Sequence, residues 1–173
     1  MTDPGAKSSV LIVEDDRSLR SAIATFLERL GYQVVQAENG EQALELLATH
    51  RLSALLCDIR MSGISGIDLL PRALASDPDL AIIMLTGVDE PSAAISCLKL
   101  GAADYLIKPV DLEELQHALQ SALRKLGAAA AEAHLPLLDS AASAVAAHGV
   151  LAIALVTLLL LLPAALCLAV WRD

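Results

Sequence analysis

Four short apolar stretches of this sequence each end at residues whose side chains can take part in chemistry. These polar end residues are Glu14, Asp15 and Asp16 after the first stretch, and then Asp58, Thr86 and Lys108 after the others. Clustered carboxylates beside one ammonium and one hydroxyl suit a hard divalent cation and a phosphoryl group. We therefore take Asp58 as the centre of the candidate site.

The apolar stretches predict buried parallel strands, because each is short, continuous and bounded by turn residues. The predicted strands are 10–13, 34–37, 53–57, a fourth that ends at Thr86, and 104–108. Segments with helical spacing of apolar residues separate them, which predicts a doubly wound, five-stranded parallel sheet of the α/β class. Ligands of such sheets gather at the carboxyl ends of the strands, where the polar residues would meet.

Helix start and stop signals agree with this order of elements. Asp16 or Ser18 can cap the first helix, and Gly31 ends it at the C′ position. Pro71 falls inside the third helix and should cost it one backbone hydrogen bond. Asp111, with a glutamate three residues later, predicts the start of the fifth helix.

Composition divides the chain into two parts. Of 173 residues, the first 126 hold 11 of the 12 basic and 18 of the 21 acidic residues, whereas residues 140–171 carry no charged side chain. The acidic first part is a poor fit to nucleic acid, so no direct nucleic-acid binding is expected. Cys57, Cys97 and Cys167 lie far apart and predict buried thiols in a reducing compartment.

We divide the chain into a flexible N-terminus (1–9), a globular domain (10–126), an Ala-rich linker or helical extension (127–148) and an apolar segment (149–171). As a helix, the 23 residues of the apolar segment would reach about 34 Å, enough to span a hydrocarbon core of about 30 Å. We therefore predict a C-terminal transmembrane helix. A buried core helix or a hydrophobic pairing segment is the alternative.

Residues 10–125 resemble the receiver domain of two-component response regulators, the CheY-like family with a flavodoxin-like fold. Four motifs carry the resemblance, in the family's order and at its separations: Leu11–Asp16, Cys57–Met61, Met84–Gly87 and Gly101–Pro109. Glu14 stands where many members have Asp, and Ser62 where Pro is usual. Neither departure removes a group that the chemistry needs.

The resemblance implies a role for each site residue. Asp58 would be the phosphoacceptor, and Asp15 and Asp58 would hold Mg²⁺ directly, with the Arg60 backbone carbonyl as a further ligand and Glu14 acting through water. Lys108 would pair with the acyl phosphate, and the Thr86 hydroxyl would hydrogen-bond it. Thr86 and Tyr105 would form the switch, because movement of Thr86 lets Tyr105 turn inward.

The residues taken singly allow plainer interpretations. Asp16 can be a helix cap instead of a ligand, and Tyr105 alone is as easily core filler as switch. The acidic run from Glu14 can be a solvated helix start. The Ser62–Gly66 run has the spacing of a nucleophile motif, but no His accompanies it. The combination of residues around Asp58, rather than any one of them, predicts a functional site.

The resulting functional expectation is phosphorelay signalling. The receiver would accept a phosphoryl group from a histidine kinase or phosphotransfer protein, assist only its own phosphorylation and dephosphorylation, and carry no DNA-binding output domain. We expect a single-pass protein of the bacterial inner membrane, tethered through residues 149–171 with the receiver in the cytoplasm, and a dimer through the fourth-helix, fifth-strand and fifth-helix face. A phosphate sink or shuttle, or a structural module that recruits to membranes, is the alternative.

Overall fold

A computed structural model describes residues 8–87 and 91–128. Its strands are β1 (Ser9–Val13), β2 (Gln33–Ala37), β3 (Ala54–Asp58), β4 (Ala81–Thr86) and β5 (Asp104–Ile107). Its helices are α1 (Arg17–Arg29), α2 (Gly40–Thr49), α3 (Gly66–Ser76), α4 (Pro91–Lys99) and α5, which occupies residues 112–128. Strand and helix alternate along the whole described chain.

The strands form one parallel sheet in the order β2-β1-β3-β4-β5. This arrangement confirms the predicted doubly wound α/β class and its flavodoxin-like order. The chain reverses its direction of travel across the sheet between β1 and β3, which are direct neighbours with Val13 opposite Cys57. That reversal opens a crevice at the carboxyl ends of these two strands, which is the usual ligand position in open parallel sheets.

Two separate apolar cores cover the two faces of the sheet. Leu11 and Leu55 point into a core that receives side chains from α2, α3 and α4. Ile12 and Leu56, the next residue on each strand, point into the opposite core with α1 and α5. Because both faces are buried, β3 and β4 consist of buried residues throughout, which explains why they appear in the sequence as continuous apolar runs.

Local capping follows the sequence signals closely. Asp16 Oδ1 accepts hydrogen bonds from the N–H groups of Ser18 (2.7 Å) and Leu19 (3.1 Å), so Asp16 is the cap of α1. Gly31 follows the end of α1 with φ +92°, a left-handed conformation that favours glycine. Asp111 Oδ1 accepts from the N–H of Glu114 at the start of α5. These contacts fix where α1 and α5 begin and where α1 ends.

The chain divides after Leu126 into two units. The predicted transmembrane segment, 149–171, and Cys167 lie outside the described residues. Within residues 8–87 and 91–128, none of the helices combines the length and the apolar character needed to cross a membrane. Cys57 and Cys97 are both buried thiols in the described domain, as the sequence predicted.

Candidate functional site

The first part of the site is the loop that leaves β1. Glu14 is 1% exposed although it carries a carboxyl group, whereas Asp15 is exposed. Glu14 Oε1 accepts a hydrogen bond from the backbone N–H of Asp16 at 3.3 Å. Because Asp16 caps α1 with its own side chain, two carboxylates of this acidic run, Glu14 and Asp15, are left for the site.

The second part is the end of β3, where Asp58 is the last strand residue and is 5% exposed. Its Oδ1 accepts a hydrogen bond from the backbone N–H of Arg60 at 3.2 Å, so the Arg60 backbone lies beside the carboxylate. Gly66 packs against the backbone carbonyl of Asp58 and the sulfur of Cys57, leaving no room for a Cβ atom. Asp58 is therefore held at a closely packed strand end.

Lys108 joins these two parts. Its Nζ lies 2.8 Å from Glu14 Oε2 and 2.8 Å from Asp58 Oδ2. The ammonium is the only partner that the described residues give to Glu14 Oε2. The Lys108–Pro109 peptide bond is cis. Three residues from the ends of β1, β3 and β5 thus form one ion-pair cluster.

Burial and neighbouring charges both shift the pKa values of this cluster. Burial raises the pKa of the Glu14 carboxyl above its usual range, the Asp58 charge adds to the effect, and Lys108 opposes it. Burial by itself would lower the pKa of Lys108, but the hydrogen bonds and charges of Asp58 and Glu14 outweigh it and raise that pKa. Lys108 is consequently held as a cation, while the carboxylates exceed it in number.

The excess of negative charge suits a cation. Glu14, Asp15 and Asp58 each offer a carboxylate oxygen, and the three oxygens lie within 4.8 Å of one another. A buried glutamate oxygen with one partner, next to two further carboxylates, is the kind of hard oxygen donor set that Mg²⁺ prefers. The residues present therefore fit the Mg²⁺ that the resemblance implies.

The remaining predicted residues lie on β4 and β5. Thr86 is buried, and its Oγ1 donates to the Gly87 carbonyl at 3.3 Å. The backbone N–H of Lys108 donates to the Thr86 carbonyl at 2.7 Å, which places these two residues side by side. Tyr105 is half-buried and packs against the core on the α2, α3 and α4 face. Its role as a switch stays a prediction.

The structure also shows supports that the sequence analysis did not identify. Arg20, on α1, reaches back to the Glu14 carbonyl, and Glu41, on α2, accepts from the Ile64 N–H at 3.3 Å. A basic residue near a helix N-terminus did not signal the contact, because Arg17 lies nearer to that end of α1 and has no such partner among the described residues. Ser65 caps α3 by accepting from the Asp68 N–H, which gives that serine a structural role.

Comparison with known proteins gives consistent matches. A protein-family model, the response regulator receiver domain, matches residues 10–120. The transcriptional regulatory protein ZraR of Klebsiella oxytoca is 38% identical over 119 residues, and a cyclic di-GMP phosphodiesterase of Thermotoga maritima is 37% identical over 116. The crystal structure of a response regulator receiver protein from Pseudomonas putida aligns with a TM-score of 0.64 and 32% identity.

These matches cover very different shares of the proteins compared. The alignments with ZraR and with the phosphodiesterase take in 69% and 67% of this chain, but only 27% and 31% of those two proteins. The Pseudomonas putida alignment covers 68% of this chain and 98% of that receiver protein. The similarity is therefore confined to one domain-sized region, which two relatives carry as part of much longer chains.

Proposed function

The chain belongs to the response regulator receiver domain family, and from this premise we propose that Asp58 is its phosphoacceptor in phosphorelay signalling. The observation that supports the assignment most strongly is the position of the Asp58 carboxylate between the Lys108 ammonium and the Arg60 N–H. The donor would be a phosphohistidine on a histidine kinase or phosphotransfer protein. A receiver of this kind assists only its own phosphorylation and dephosphorylation.

In the proposed transfer, an Asp58 carboxylate oxygen attacks phosphorus, the bond from phosphorus to the donor nitrogen breaks, and the electron pair leaves with the imidazole. Asp15, Asp58 and the Arg60 carbonyl would hold Mg²⁺, with Glu14 acting through water. The ion supplies charge neutralisation between the carboxylates and the incoming phosphoryl oxygens. Lys108, already 2.8 Å from Asp58, is placed to pair with the phosphoryl group.

The proposed output is a change at the face formed by α4, β5 and α5. The Thr86 hydroxyl would turn from the Gly87 carbonyl to the phosphoryl group, and Tyr105 would move inward. Ile95 and Ile107 are 54% and 47% exposed on α4 and β5, so this face already carries apolar surface suited to a partner or a second copy. Substituting Ile95→Glu should weaken any phosphorylation-dependent dimer, measured by sedimentation.

Radiolabelled acetyl phosphate tests the phosphoacceptor directly. The full-length chain should incorporate label in the presence of Mg²⁺, and EDTA should abolish incorporation. Asp58→Asn should carry no label, whereas the control Asp79→Asn, which alters an exposed acid of the same domain, should be labelled like the wild type. Equal labelling of Asp58→Asn and wild type would overturn the assignment.

We also propose that residues 149–171 anchor the protein in the bacterial inner membrane, with the receiver in the cytoplasm. The support is the sequence itself: 23 residues without a charged side chain. The expected result is sedimentation of the full-length chain with membranes after carbonate extraction. Leu160→Arg places a charge near the middle of the segment, at a cost of about 3 kcal/mol, and should release part of the protein. Complete extraction of the wild type would refute the anchor.

A further inference from the structure

Arg20 contacts the backbone of the site although its side chain takes no part in the proposed chemistry. It is half-buried on α1, and its Nη1 donates to the carbonyl oxygen of Glu14 at 2.5 Å and lies 3.5 Å from that of Asp15. These two carbonyls belong to the residues that supply two of the three clustered carboxylates. Arg20 therefore touches the backbone of the cation site while its charge lies outside the carboxylate cluster.

Arg20 lies one turn after the acidic residues Glu14, Asp15 and Asp16. Opposite charges attract, so the acidic loop is a favourable neighbour for the guanidinium. The contacts that the structure shows are to two backbone carbonyls, and both are made by the same nitrogen, Nη1. That nitrogen carries two N–H groups, so it can donate to both acceptors. The side chain therefore ties the backbone of the loop to α1.

We infer that Arg20 is a positioning residue for cation binding. By holding the Glu14 and Asp15 carbonyls, it fixes the backbone after β1 so that both side chains face Asp58. Arg20 does not supply a ligand or touch the phosphoryl group, and it acts through the backbone alone. The inference rests on the proposed function, because it assumes that the carboxylate cluster holds Mg²⁺.

A positioning role and a simple charge effect predict opposite results. Removing a positive charge close to a cation site should strengthen Mg²⁺ binding through Coulomb attraction. Releasing the loop that carries two carboxylates should weaken it. Arg17, at the start of the same helix, is exposed and makes no side-chain hydrogen bond or ion pair within the part of the chain that is described. Arg17→Gln is therefore the matched control for charge alone.

The experiment measures the Mg²⁺ dissociation constant of the full-length chain by titration calorimetry. Arg20→Gln should raise it about tenfold, the size usual for residues that orient metal ligands. Arg20→Lys should raise it less, and Arg17→Gln should leave it unchanged or lower it. An unchanged or lower dissociation constant for a folded Arg20→Gln would overturn the inference. If Arg20→Gln does not fold, the value for Arg20→Lys decides in the same way.

A second readout needs no metal. In EDTA, amide hydrogen exchange at Glu14, Asp15 and Asp16 should be faster in Arg20→Gln than in the wild type, while exchange within β4 stays the same. Equal exchange at the three amides would overturn the positioning role. A wild type that is not labelled at Asp58 would refute the proposed function instead, and the exchange difference would still show whether Arg20 holds the loop.

Discussion

The two loops that frame the site are supported in different ways. The first loop, residues 14–16 between β1 and α1, supplies carboxylates and is held by contacts from its own residues and from α1. The second loop, residues 59–65 between β3 and α3, supplies backbone groups next to Asp58 and is held by elements distant in sequence. Polar side chains hold both loops, and the second loop also depends on glycines at places where a side chain would collide.

Glycines within and beside the second loop make this dependence concrete. Gly63 has φ +79°, and a Cβ atom there would meet the Glu41 carboxylate. Gly40, at the start of α2, packs directly on Ile64. The backbone turns tightly beside the Asp58 carboxylate at the end of β3. Glycine fits there because it has no Cβ atom, whereas other residues would collide with their neighbours. The two loops should therefore respond differently to added bulk and to removed charge.

Adding bulk next to the second loop should have the largest effect on the stability of the protein. Gly66→Ala places a Cβ atom against the Asp58 carbonyl and should lower the free energy of unfolding by about 3 kcal/mol. Gly31→Ala meets no atom within 4 Å and carries only the cost of its positive φ, about 1 kcal/mol. Urea unfolding measures both. A Gly66→Ala cost no larger than that of Gly31→Ala would contradict the packing difference.

Lys108 tests how far the two parts of the site depend on each other, since it pairs with Glu14 after β1 and with Asp58 at the end of β3. Lys108→Met leaves Glu14 and Asp58 buried without their cation and should destabilise the metal-free protein by about 2 kcal/mol. Lys99→Met removes a similar charge from an exposed position on α4 and should change stability by less than about 0.5 kcal/mol. Similar losses for both variants would show that the ion-pair cluster does not stabilise the fold.

The raised pKa of Glu14, in the first loop, predicts a dependence of stability on pH. Because its pKa in the folded protein is raised, the folded state binds the proton more tightly than the unfolded state, so the contribution of Glu14 to stability falls as pH rises above 4.5, the usual value. In EDTA, Glu14→Gln lacks this loss, and its stability relative to the wild type should increase over that range. Glu45→Gln, on the exposed surface of α2, is the control for removing a carboxylate outside the site. A flat difference for Glu14→Gln would contradict the effect of burial.

The smallest effect should come from Glu41, which holds the second loop through one long hydrogen bond to Ile64. Glu41→Gln keeps the shape and removes the charge, so it should cost about 0.5–1 kcal/mol. Amide exchange of Ile64 should accelerate, while that of Asp16 in the first loop should not. Acceleration in both loops would mean that their supports are not separate.

The sequence predicts which residues end the strands better than it predicts what holds them there. Asp58 and Lys108 follow apolar runs, and parallel strands bring run ends together, so their proximity followed from pattern and topology. The cap by Asp16 was one of two alternatives, and the structure selects it. The contact between Glu41 on α2 and Ile64 in the second loop spans 23 residues, and no local pattern in the sequence predicts it.

The Lys108 contacts show a further limit. The resemblance implied a lysine that pairs with a phosphoryl group, but it did not imply the ion pairs that Lys108 forms with Glu14 and Asp58. Those pairs depend on which carboxylates the folded chain buries near the ammonium, and a short sequence motif does not specify burial. The predicted segment 149–171 lies outside the described residues, so the proposal that it anchors the protein in a membrane is argued from composition.

Chemical mapping of the phosphorylated residue tests the central claim most directly. After incubation with acetyl phosphate and Mg²⁺, borohydride reduction converts an aspartyl phosphate to homoserine, which mass spectrometry locates in the chain. We expect conversion at Asp58, none at Asp15, and none when EDTA is present. Conversion at another carboxylate, or none in the folded, Mg²⁺-loaded protein, would contradict the role of Asp58 as phosphoacceptor.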